Sequence, residues 1–199
     1  MKMKIICCII GFLWSMAIGA WGGNGFVKVL DGQFMRNGSP YYYIGTNLWY
    51  GPILGSTGEG GNRERLGYEL DSLKSIGINN LRILAGADAG SKNTNSVYPY
   101  LQPEAGHLND TLLVGLDYFL AELDKRDMVA VIYLNNAWEW SGGYGFYLKS
   151  AGKGESPTAR NNGYGAYTKY ASEFVSDDKA KSLFWNYVKQ IVGRTNSIT

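Results

Sequence analysis

The 199-residue chain carries two cysteines and one histidine, and its net charge is only +2. Cys7 and Cys8 both fall inside an apolar run near the N-terminus. That run, Ile5 to Ile18, follows the basic start Met1-Lys2-Met3-Lys4 and leads into Ala17-Ile18-Gly19-Ala20. A short basic start, an apolar stretch and small residues before a cut read as a secretory signal peptide, cleaved near Ala20. The run is too short for a comfortable membrane span, so no stable span is expected after cleavage. The mature chain would then hold no cysteine, which excludes disulfides, a thiolate metal site and a cysteine nucleophile. Export to a periplasm or the exterior follows. His107 stands alone in a loop with Pro103, Glu104 and Asn109 and no legible metal cluster or triad partner, which points to a structural or solvent role. The basic residues form no stripe, so nucleic acid is not an expected partner. No Gly-Lys-Ser/Thr follows the Gly-rich stretch from Gly51 to Asn62, which excludes a phosphate cradle and leaves a plain loop. No Gly-x-Gly-x-x-Gly follows the first strand, which argues against a dinucleotide fold.

What the chain has in excess is aromatic: 15 Tyr, 6 Trp and 7 Phe. Many lie in Gly-rich stretches, away from periodic apolar faces. Part of them fills the core. The remainder suits a sugar-binding surface, because a flat ring packs on the apolar C–H face of a pyranose and buries area there.

The element pattern alternates. Phe26 to Val29 and Gln33 to Met35 flank Asp31-Gly32 and read as a hairpin. Tyr41 to Gly45 reads as a buried strand ending at Thr46-Asn47. Asn62 can cap a helix on which Leu66, Leu70, Leu73 and Ile76 recur, and Gly77 stops it. Asn80 to Leu84 is a short strand. Asp110 can cap the next helix, with Leu112, Leu113, Leu116, Phe119, Leu120 and Leu123 as its stripe. Met128 to Leu134 is a continuous apolar run, as expected of a parallel strand buried on both faces. A long loop rich in Gly, Tyr, Asn and Trp then runs from Asn135 to about Ser176, and a last helix runs from Asp178 to about Arg194. Strands alternating with helices imply right-handed βαβ units and a parallel sheet. The fold expected is α/β: an N-terminal hairpin as a plug, then about three βα units of a (β/α)8 TIM barrel. A whole barrel needs about 250 residues, so residues 21–199 are expected to be its N-terminal portion.

In such barrels the chemistry sits at the C-terminal ends of the strands. Those positions hold Asn47, Trp49 and Tyr50, then Ala85 to Asp88 with Arg82 inside the strand, then Asn135, Asn136, Trp138, Glu139 and Trp140. Amides bond hydroxyls and aromatics stack on rings, so this is sugar-binding chemistry. Arg82 has two readings: a structural ion pair with a core carboxylate, or a cation that keeps a catalytic carboxylate ionised and aimed. Trp138 and Trp140 read either as one buried and one surface residue or with Trp138 at a sugar subsite. Glu139 alone cannot run glycoside hydrolysis, which usually needs two carboxyl groups flanking the bond.

Five stretches in order resemble glycoside hydrolase family 5, in particular its endo-β-1,4-mannanase branch. They are Ile44 to Tyr50; Gly61 to Asp71 with Gly77 to Arg82; Leu134 to Gly143 followed by Tyr147; Ser176 to Lys181; and Gly193 to Ser197. The resemblance implies a (β/α)8 barrel and retaining hydrolysis by two glutamates, one in an Asn-Glu-Pro motif ending the fourth strand and one on the seventh. No Asn-Glu dipeptide occurs in the chain, so neither glutamate can be assigned, and the fragment is expected to be inactive. By the same resemblance Arg82 supports the nucleophile, and Asn47, Trp49, Tyr50, Asn136, Trp138 and Tyr147 bind substrate. The order of Trp49 and Tyr50 leaves open which of the two faces the cleft. The implied substrate is β-mannan, glucomannan or galactomannan, with no metal or organic cofactor. The alternatives are an exo-acting β-mannosidase, another family 5 β-glycanase, and a non-catalytic carbohydrate-binding remnant.

Overall fold

A computed structural model describes residues 25–90 and 96–198. The expected signal peptide at 1–20 lies outside the described residues. The first element is a three-stranded antiparallel meander, β1 (Lys28–Leu30), β2 (Gln33–Arg36) and β3 (Ser39–Pro40). Its two turns carry Asp31-Gly32 at φ 49° and 78° and Asn37-Gly38 at φ 52° and 79°. Both central residues are left-handed, the geometry that matches strand twist and that Asp-Gly and Asn-Gly favour.

A parallel sheet follows in the order β4 (Gly45–Asn47), β5 (Asn80–Leu84), β6 (Val129–Tyr133). Sequential strands are spatial neighbours with no reversal of order, as in a barrel wall. The helices α1 (Gly51–Gly55) and α2 (Arg63–Ser75) connect β4 to β5, and α3 (Asp110–Lys125) connects β5 to β6. After β6 come α4 (Gly143–Ser150), α5 (Ala159–Asn162), α6 (Tyr164–Ser172) and α7 (Asp178–Val192).

The meander lies at the N-terminal ends of the parallel strands. Arg36 pairs with Asp127 just before β6 at 2.8 Å, and the Ile44 amide donates to Asn79 Oδ1 just before β5 at 3.0 Å. This is the plug position of a barrel, on the face opposite to the strand C-termini.

The helix signals hold locally. The Asn62 side chain accepts from the Arg65 amide, Leu66 and Leu70 are fully buried, and Gly77 follows the helix with φ 89°. The α3 cap is Asn109, one residue earlier than expected, with its side chain accepting from the Thr111 amide at 3.0 Å. On the outer face of the sheet, Leu81 and Ile83 of β5 pack with Leu48, Leu54, Leu66, Leu70, Leu116, Phe119, Leu123 and Met128. A second core joins Tyr147, Leu148, Phe174, Ala180 and Tyr187 to Leu112 and Leu113. Full burial of such side chains stabilises by about 1.5–3 kcal/mol each.

Three expectations are corrected. The strand begins at Gly45, not at Tyr41, and Tyr42, Tyr43 and Ile44 are exposed; they lie ahead of the β4–β5 pairing register, which starts at Gly45 and Asn80. The Gly51 to Asn62 stretch opens with a helical turn instead of plain loop. Its glycines allow a close crossing on α3: a Cβ on Gly55 would meet the Gly115 carbonyl oxygen, and one on Gly51 would lie 2.6 Å from the Phe119 ring. Val131 of β6 is 54% exposed on the inner face of a sheet that is only part of a barrel. It sits in register with Arg82 and Asn47 on the inner face. The segment from Asn135 to Ser176 is mostly helical, because Phe146, Tyr147, Tyr167 and Phe174 are core side chains, not loop aromatics.

Candidate functional site

The register of the sheet places Asn47, Arg82 and Val131 side by side on the inner face, with Leu84 and Tyr133 one step nearer the strand C-termini. Side chains two apart on a strand share a face, so Arg82 and Tyr133 can meet. The Arg82 guanidinium lies 3.8 Å from the Tyr133 ring centroid, and its Nη1 donates to Asn47 Oδ1 at 3.4 Å. Among the described residues no carboxylate forms an ion pair with Arg82. Its partners here are an aromatic ring and a side-chain amide. Burial pushes the Tyr133 phenol up, against the pull of the Arg82 charge. The arrangement is a positive group held on an aromatic face.

Trp49 and Tyr50 diverge. Trp49 packs edge-on to Trp140 with centroids 5.0 Å apart and joins the cluster of Leu84, Ala87 and Val97 at the strand ends. The Tyr50 hydroxyl instead donates to Glu69 on α2 at 2.9 Å, and burial followed by Glu69 raises its pKa. The half of the pair beside the strand-end cluster is Trp49.

The β6 loop is tightly constructed. Asn135 Oδ1 accepts from the Ala137 amide at 2.6 Å, and Asn136 Oδ1 accepts from the Trp138 amide at 3.0 Å and the Ser141 hydroxyl at 2.8 Å. Asn136 thus shapes the turn that presents Trp138. Trp138 is 45% exposed, while Trp140 is half-buried against Trp49. Tyr167 stacks beside Trp138 at 5.8 Å and 22°, and its hydroxyl donates to the Ala137 carbonyl at 2.6 Å. Glu139 accepts the Ala159 amide on both carboxylate oxygens, at 2.8 and 2.9 Å. It caps α5 and is committed to structure.

Tyr147 does not face the cleft. It has no solvent exposure, and its hydroxyl donates to Asp88 Oδ1 at 3.2 Å. Its place on α4 points it into the second core, so its role is internal. It belongs to a buried polar group that the sequence did not reveal. Gln102 Nε2 donates to Asp88 Oδ1 at 2.7 Å, the Asp88 amide donates to the Ser141 carbonyl at 3.0 Å, and Asp88 is only 2% exposed. Burial pushes the Asp88 carboxyl up to about 7, against the opposing hydrogen bonds from Gln102 and Tyr147. Asp88 therefore fastens the loop after β5 to the loop after β6. His107 lies on the surface, 3.8 Å from Glu104 in a fully local contact. Among the described residues no cluster of His, Cys, Asp or Glu could hold a metal ion, and no helix is long and apolar enough to cross a membrane.

Comparison with known proteins places this architecture. Residues 24–199 match the family model described as GH family 5 beta-mannosidase-like. The chain is 27% identical to mannan endo-1,4-beta-mannosidase 1 of rice, over 99% of its own length and 42% of that protein. It is 28% identical to mannan endo-1,4-beta-mannosidase 1 of tomato, over 96% of this chain and 44% of that one. Among solved structures, the family 5 mannosidase of Rhizomucor miehei superposes with a TM-score of 0.82 at 33% identity, covering 88% of this chain and 44% of that one. The endo-1,4-beta-mannanase of the same fungus shares the fold, with a TM-score of 0.64 at 22% identity over 88% of this chain and 43% of that one. The chain thus spans under half the length of these relatives and corresponds to part of a (β/α)8 barrel. With the inner-face register, the strand-end aromatics and the match over residues 24–199 taken together, the chain belongs to glycoside hydrolase family 5, in its β-mannosidase-like group.

Proposed function

We propose that the whole protein hydrolyses internal β-1,4-mannosidic bonds in β-mannan, glucomannan or galactomannan, with retention of configuration. The observation that carries this reading is the inner-face group of Asn47, Arg82 and Tyr133 below an exposed Trp138, in a family 5 chain. Retention requires two carboxyl groups about 5–5.5 Å apart, one protonating the leaving oxygen and one attacking the anomeric carbon. The two strand-end carboxylates here are engaged: Glu139 caps α5, and Asp88 is buried under Gln102 and Tyr147. On this reading both catalytic glutamates come from outside these 199 residues, and residues 1–199 alone are inactive. Arg82 acts as a positioning residue. Its permanent charge lowers the pKa of a nearby carboxylate and keeps it anionic for attack. Trp138 and Trp49 supply apolar faces for sugar rings, and Asn47 and Asn136 supply amides. Met1 to Ala20 would direct export; N-terminal sequencing of protein recovered outside the cell, with a start near Trp21, tests this.

A second reading, exo-acting β-mannosidase, is favoured by the higher similarity to the Rhizomucor mannosidases (TM-score 0.82) than to the mannanase of that fungus (0.64). Product analysis decides. Protein expressed from the complete reading frame and incubated with β-1,4-mannan should release a ladder of oligosaccharides early in the reaction. Mannose as the sole early product would replace the endo reading with the exo one. No hydrolysis of any β-mannoside would overturn both.

A further inference from the structure

The segment after α4 is tied to the β6 loop at two points. At one, the Ala159 amide donates to Glu139. At the other, the Tyr167 hydroxyl donates to the Ala137 carbonyl. Tyr164 lies between these anchors, at the start of α6, and Gly163 before it adopts φ 80°. The anchors bring the Tyr164 ring to 5.6 Å from Trp138 at an interplanar angle of 89°. Both rings face solvent, Tyr164 at 68% and Trp138 at 45% exposure. Tyr164 adds nothing to the core clusters.

Holding two exposed aromatic rings at a right angle forfeits the burial that usually places such residues. The rigidity of the setting matters as well. Tyr167 is buried and stacked beside Trp138, and the Asn136 turn fixes the Trp138 backbone. A corner of two preorganised aromatic surfaces fits a pyranose, whose C–H face packs on one ring while a second sugar or a hydroxymethyl group meets the other.

We infer that Tyr164 is a substrate-binding residue, forming with Trp138 an aromatic corner that grips one mannose unit of a β-1,4-mannan chain. The inference rests on the proposed mannan-hydrolysing function and adds a contact residue from outside the strand-end loops. Tyr164 touches sugar through its ring face, so the hydroxyl is dispensable and the aromatic ring is not.

The test uses protein from the complete reading frame with β-1,4-mannohexaose as the probe. Binding is followed by calorimetry and turnover by the release of reducing ends. Tyr164→Ala should weaken binding and raise KM by about tenfold, the loss of one aromatic contact worth about 1.4 kcal/mol. Its kcat should stay within about twofold, as for lost uniform binding. Tyr164→Phe should restore wild-type affinity, and the thermal midpoint of both variants should match the wild type, which a merely structural role would not combine with a KM defect. Wild-type affinity in Tyr164→Ala would overturn the inference while leaving the functional reading intact. An equal loss in Tyr164→Ala and Tyr164→Phe would also overturn it. If wild-type protein fails to bind mannohexaose, the functional reading itself falls and the corner with it.

Discussion

Replacing Asp88 by Asn should change how stability depends on pH. Asp88 is 2% exposed, and burial raises its pKa from 3.8 to about 7 in the folded protein. A carboxyl raised in this way binds a proton in the folded state that the unfolded chain has released. Its contribution is therefore fully present below pH 4 and is lost as pH rises through 7. Between pH 5 and pH 8 the loss comes to about 3 kcal/mol, at about 1.4 kcal/mol for each pH unit over which only the folded state holds the proton. For a chain of this size that is a fall of about 6–12 °C in Tm. Asparagine keeps an oxygen to accept from Gln102 at 2.7 Å and Tyr147 at 3.2 Å, and it does not titrate. Other carboxylates act in the opposite direction. Arg126 holds Asp71 down, and at Asp117 and Glu122 burial is outweighed by hydrogen bonds to cationic partners. They titrate equally in both proteins and cancel in the difference. Thermal unfolding followed by circular dichroism at pH 5 and pH 8 should show Asp88→Asn gaining about 3 kcal/mol on the wild type between the two. A wild-type-to-variant gap that does not change with pH would refute the reasoning.

Gly115→Ala should destabilise by about 1–3 kcal/mol in urea unfolding, because its Cβ would run into the Pro52 carbonyl oxygen where α1 crosses α3. Asp117→Ala should cost about 3 kcal/mol and speed proteolysis near residues 193–197, since Asp117 accepts two hydrogen bonds from Arg194 and two from Ser197 while 3% exposed. Arg82→Ala in the complete protein should lower kcat by about a hundredfold, because its guanidinium stands on the inner face beside Asn47 and Tyr133. Steady-state kinetics of the variant and the wild type check this.

The parts of the fold that were legible in the sequence are the ones decided by local chemistry. Asn62 capping, the Leu66 and Leu70 stripe, the left-handed Asp31-Gly32 turn and the bounds Asn80–Leu84 all follow from neighbouring residues. The parts that were not legible depend on partners distant in the chain. The Gly51–Gly55 helix needs Gly115 and Phe119 to explain its glycines. The helical character after Asn135 comes from aromatics that pack on α7, which composition alone reads as loop. Tyr147 looked like a sugar contact by its place after the Trp138 motif, yet one helix turn carries it inward to Asp88. Asp88 stood in a strand-end stretch without any mark of its Gln102 and Tyr147 partners, which lie 14 and 59 residues away. Tyr164 carries no local signal at all; only the two anchors at Glu139 and Tyr167 place it on Trp138.

On the function proposed, this chain supplies the supporting face of a two-glutamate site, and the glutamates lie elsewhere in the protein. Reading the gene beyond codon 199 tests that claim most directly. The predicted result is an Asn-Glu-Pro soon after Thr199 and a second strand-end glutamate farther on, completing the barrel. A reading frame that continues without either glutamate would contradict it and leave a carbohydrate-binding protein in its place.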